Sequence, residues 1–91
     1  MQQVNKKTLQ FWNAVGDVVR QLREENTQSS ISKLAREYDM DRGNLSKLER
    51  GLIGCYLLTA WKISEACGIK FSEFAKRLEE KLGDDFILMD E

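Results

Sequence analysis

The 91-residue chain contains no proline and no histidine. Proline would break helices, so its absence, together with an abundance of helix formers, favours an all-α fold over any sheet. The lack of histidine removes the usual neutral-pH general base and rules out a mixed Cys/His zinc site. Only two cysteines are present, Cys55 and Cys67. They make no disulfide framework, and a small buried thiol suits a reducing cytoplasm. The start, Met1 to Thr8, is polar, and no apolar run is long enough for a signal peptide or a membrane span. There is also no glycine-rich phosphate loop, and no serine or cysteine nucleophile has a spaced base. No catalytic set, metal or cofactor is therefore expected.

Neither sign of charge dominates: the net charge is −1, although 32% of residues are charged. That balance counts against a generic nucleic-acid binder, whose affinity comes from clustered Lys and Arg. The distribution is uneven. Met1 to Thr27 holds four basic and three acidic residues, Gln28 to Gly51 five and four, and Leu52 to Glu91 five and eight. One face can still be basic, with weak non-specific affinity for DNA and a shallow salt dependence as the expectation. A chain this short, 42% apolar, makes one domain with one small core and leaves no room for a separate ligand-sensing unit.

Apolar residues recur at helical spacing in five segments. Leu9, Trp12, Val15, Val19 and Leu22 predict a first helix from Thr8 to about Glu25, in which Gly16 implies a close approach by another helix. After a polar connection, Asn26 to Ser30, a second helix is expected over Ile31 to Tyr38, with Ser29 or Ser30 as its cap. The third, Arg42 to Arg50, has Asp41 as N-cap, Leu45 and Leu48 inward and Gly51 as a stop. A fourth, Leu57 to Cys67, is given a core face of Leu57, Ala60, Trp61, Ile63 and Ser64 and ends at Gly68. A fifth opens at Ser72, carries Ala75, Leu78 and Leu82 on one stripe and ends at Gly83. The second and third sit almost end to end, the outline of a helix-turn-helix.

Asn44-Leu45-Ser46-Lys47-Leu48-Glu49-Arg50-Gly51, following Leu34-Ala35, resembles the Cro/repressor-type (XRE-like) helix-turn-helix family of DNA-binding regulators. Val15 to Arg23 upstream and Leu57 to Phe74 downstream extend the similarity over roughly Leu9 to Leu82. The resemblance implies a compact five-helix bundle of the lambda-repressor-like type, its second and third helices forming the helix-turn-helix. It divides the chain into a flexible start (1–7), a DNA-binding domain (8–83) and a tail (84–91).

In such proteins the third helix enters the major groove. Here that helix presents Arg42, Gly43, Asn44, Ser46 and Lys47. Arg42 suits guanine O6 and N7, Asn44 adenine N6 and N7, and Lys47 guanine or phosphate. A solvated helix face would carry the same residue types. Ile31 replaces a common phosphate-contacting Gln, so Gln28 and the helix start at Ser30 would take that contact; Asp39 stands where glycine is usual and Cys55 where proline is. The resemblance also implies a structural ion pair between Arg23 and Glu49.

The implied function is a sequence-specific transcriptional regulator, a repressor or a phage, plasmid or restriction-type controller, reading a palindromic operator in double-stranded DNA. A homodimer is expected through the fifth helix and the apolar tail Phe86 to Met89, with no membrane contact. The alternative is a protein-interaction module, antitoxin-like or adaptor, on the same scaffold. The acidic balance, Ile31 and Asp39 favour it.

Overall fold

Asn5 starts the first helix. Its extended backbone and a side-chain oxygen 2.7 Å from the Lys7 N–H cap α1, Lys6–Leu22. The helix thus begins two residues before the first apolar position, because a polar cap and not the periodicity sets its start. The computed structural model describes residues 5–27, residue 36 and residues 41–89. Among them are four α-helices and no strand. A π-helical turn, Arg23–Thr27, follows α1 where an α-helical end was expected. The second predicted helix lies outside the described residues except for Arg36, which is helical and exposed. The turn at Asp39 lies outside them as well.

The remaining helices are α2, Arg42–Glu49, the third of the predicted segments; α3, Leu57–Ala66; and α4, Phe71–Leu82. Gly51, Gly68 and Gly83 follow α2, α3 and α4, each with a positive φ. For Gly51 that backbone and the space both matter, since a Cβ there would collide with Asn13.

α1 is the central element and packs against both α2 and α4. Its buried stripe of Val15, Val18, Val19 and Leu22 meets Leu45 and Leu48 of α2, Ala60 and Ile63 of α3, and Cys67 and Phe74. Arg77 on α4 reaches Glu25 in the π turn at 2.9 Å and Glu73 on its own helix at 3.1 Å. That contact ties the end of α1 to α4.

One expected core face is corrected. In α3 the buried residues are Ala60, Ile63 and Ser64, continuing to Cys67, while Leu57 and Trp61 are exposed. The helix is apolar on too many sides for periodicity to choose a rotation. Ala60 allows close packing, and Ser64 can be buried because its hydroxyl donates to the Ala60 carbonyl at 2.8 Å. Trp61 lies against Phe71, ring centroids 5.5 Å apart, and donates to Glu65 at 3.1 Å. In α4, which opens at Phe71, the fully buried residue is Phe74, with Ala75, Leu78 and Leu82 half-buried.

The tail turns back on its own chain. Phe86 lies 6.4 Å from Phe11 between ring centroids, and the Lys7 ammonium sits 5.2 Å above the Phe86 ring. Ile87, Leu88 and Met89 stay exposed.

Candidate nucleic-acid interface

α2 is eight residues long, too short to stand alone, so its neighbours must fix it. The Asp41 carboxylate accepts from the Asn44 N–H at 2.9 Å and closes the N-terminal turn. Leu45 and Leu48 turn inward and are buried. Arg42, Gly43, Asn44 and Lys47 are exposed, and Ser46 is half-buried. Gln28 and Ser30 lie outside the described residues.

The far end of α2 is locked. Arg23 Nε donates to Glu49 Oε2 at 2.6 Å, and Arg23 Nη2 donates to Glu49 Oε1 at 2.9 Å. This is a two-pronged guanidinium–carboxylate pair, the strongest geometry available to these groups. The Glu49 side chain is 5% exposed and that of Arg23 16%. The hydrogen bonds that it donates to Glu49 raise the guanidinium above its ordinary pKa, outweighing the burial that opposes its charge. Gly16 explains how the helices come so close. A Cβ on it would lie 2.6 Å from the backbone oxygens of both Leu48 and Glu49.

Three features of this surface carry no signal in the periodicity. Arg50 is exposed just past α2, its Nε 3.4 Å from the Ser46 carbonyl. A groove of about 670 Å³ runs beside the helix, with Phe11 and Trp12 on one wall, Asp41 and Asn44 on a second, and Tyr56, Thr59 and Lys62 on a third. Tertiary packing alone brings those walls together. Cys55 also lines it; burial pushes its thiol up to about 11, so the group is uncharged at neutral pH.

Arg42, Asn44 and Lys47 together offer several hydrogen-bond donors and, on Asn44, one acceptor, along a short exposed helix. Among the described residues no group of three or more Cys, Asp and Glu could hold a metal ion, and no helix is long and apolar enough to cross a membrane.

The fold and this surface define a small all-helical domain that displays one short, capped helix from a rigid backing. No model of a known protein family matches the chain. It is 33% identical over 66 residues to control protein C.MunI of a Mycoplasma species, a match spanning 72% of this chain and 89% of that protein. The chain belongs to this control-protein family.

Proposed function

We propose that the protein is a sequence-specific DNA-binding transcriptional regulator of the restriction–modification controller kind, acting in the cytoplasm and without enzymatic activity. Two copies place α2 in successive major grooves of a short inverted repeat, and their occupancy of the operator controls transcription. The observation that carries this reading is the outer face of α2. Arg42 and Asn44 are exposed at one end of a helix whose other end is fixed by Arg23 and Glu49, and Lys47 is exposed in its last turn. Family membership with a control protein supports the same reading.

The test is selection of bound sequences from random duplex DNA with the purified protein. A recovered inverted repeat supports the regulator. Failure to recover any motif, with binding to DNA abolished by modest salt, favours the protein-interaction module instead, a reading that the exposed apolar face of α3 keeps in play.

A further inference from the structure

We propose that the groove beside α2 is a binding site for a small planar aromatic anion, an aryl carboxylate in its simplest form, held flat against Phe11 and Trp12 with its charge at Lys62. That such a ligand regulates DNA reading rests on the proposed function; the site itself does not depend on it.

At about 670 Å³ the groove has the size of a small-molecule site. Leu45, Leu48 and Ile53 add apolar surface to its two rings, and a few polar side chains stand among them. A mostly apolar lining with few polar groups is what gives such a site both affinity and orientation.

The aromatic wall is built in place. The Trp12 indole lies so close to Gly54 that a Cβ there would come within 3.1 Å of its Nε1, so the missing side chain is what seats the ring. Phe11 is backed by Phe86, ring centroids 6.4 Å apart, and Phe86 in turn lies under the Lys7 ammonium. Rings fixed beforehand lose little freedom when a flat ligand stacks on them.

Charge selects an anion. Lys62, on another wall, is half-buried and forms no ion pair among the described residues. A cation partly withdrawn from water gains from an anion brought to it in an apolar setting. The carboxylate among the described lining residues, Asp41, is exposed and already accepts the Asn44 N–H, so water screens its repulsion of a bound anion. A DNA phosphate would use Lys62 and leave Phe11 and Trp12 uncovered, whereas an aryl carboxylate uses all three.

The groove meets the reading surface at Asn44, which lines it and is exposed on α2. A ligand lying there competes with a base for that side chain, so ligand and DNA each weaken the other's binding.

The test is titration of the full chain with naphthoate, followed by NMR of the indole N–H signals of its two tryptophans. The Trp12 signal should move saturably with a dissociation constant below about 1 mM, while Trp61, exposed on α3, stays still. Neutral naphthamide should bind about tenfold more weakly, and Lys62→Gln should remove that preference. Thr59→Phe, which puts a ring into the groove, should abolish binding; should it lose helix content by circular dichroism, the Lys62→Gln comparison decides. No saturable movement of Trp12, movement of Trp61 alone, equal binding of naphthoate and naphthamide, or a preference that survives Lys62→Gln overturns the proposal. So does a loss of DNA affinity in Lys62→Gln when the unsubstituted protein takes up no naphthoate, since the groove is then a phosphate seat. DNA selection with and without saturating naphthoate separates the two readings. Naphthoate binding in a protein that recovers no motif sinks the regulator but leaves the site standing, and an inverted repeat recovered by a protein that binds no naphthoate does the reverse. A site that fills without changing DNA affinity overturns the link between them.

Discussion

The two ends of α2 are held in opposite ways. At its C-terminal end Leu48 and Glu49 are buried, a guanidinium grips the carboxylate with two hydrogen bonds, and the backbone presses on Gly16. At its N-terminal end Arg42, Gly43 and Asn44 are exposed, and the described contact there is the Asp41 cap. One end sets where the helix axis points, and the other supplies side chains with room to meet something else. A reading helix needs this asymmetry, because a tilt at the fixed end moves every exposed side chain at the other. The Arg23–Glu49 pair is thus better understood as a positioning device than as a source of stability, since desolvation offsets much of its attraction.

The largest expected effect comes from breaking the fixed end. Glu49→Ala removes the two-pronged contact that the mostly buried Arg23 guanidinium makes with the Glu49 carboxylate, and should cost about 3 kcal/mol by urea denaturation. Replacing both partners with apolar residues, Arg23→Met with Glu49→Leu, should recover most of that loss, because well-packed apolar pairs often match a buried ion pair. A cost for Glu49→Ala near that of an exposed ion pair, below about 1 kcal/mol, would show that this end is not fixed by the pair.

Next comes Gly16→Ala. The added methyl meets two backbone oxygens, which cannot rotate away as a side chain would, so α1 and α2 must separate. Overpacking of this kind costs about 1–3 kcal/mol, and the better helix propensity of alanine returns about 1 kcal/mol of it. A lower melting temperature is therefore expected where an unconstrained helical glycine would give a higher one. Each kcal/mol corresponds to about 4–8 °C in a domain of this size.

The Asp41 cap stands between the two ends in strength. Asp41→Ala removes the acceptor for the Asn44 N–H and should cost about 1 kcal/mol, read in the same denaturation experiment.

The two ends also differ in how far they could be read from the sequence. Leu45 and Leu48 at three-residue spacing, between an acidic cap and a glycine stop, give the rotation of α2 directly, and with it the exposed set. Arg23 and Glu49 are 26 residues apart and leave no periodic trace, so their pairing is implied by the family resemblance and not by spacing. Gly16 gave a partial signal: a mid-helix glycine implies close approach without naming the neighbour. The rotation of α3 was legible only in part: Ala60, Ile63 and Ser64 are inward as read, whereas Leu57 and Trp61 are not. With Leu57, Leu58, Ala60, Trp61 and Ile63 all apolar, size and hydroxyl satisfaction at Ala60 and Ser64 decided which side turned inward. The start of α1 was missed for a related reason, because Asn5 acts through a hydrogen bond within a stretch that otherwise looks like a frayed end.

The smallest effect on folding, and the sharpest test of the comparison, belongs to the exposed residues of α2. Arg42→Ala, Asn44→Ala and Lys47→Ala remove side chains that turn away from the buried Leu45 and Leu48, so each should change stability by no more than about 0.5 kcal/mol. On the proposed reading the same substitutions change DNA recognition in distinct ways. Loss of Arg42 or Asn44 should relax one position of the selected motif by about 1–3 kcal/mol, because a paired base edge loses both its hydrogen bonds. Lys47→Ala, if its partner is a phosphate, should weaken all sequences alike and lower the salt slope by about one. Stability and recognition would then separate along eight residues of helix. If Arg42→Ala instead destabilised the fold as much as Gly16→Ala, its side chain would be a packing element, and the end of α2 best placed to read DNA would not be free to do so.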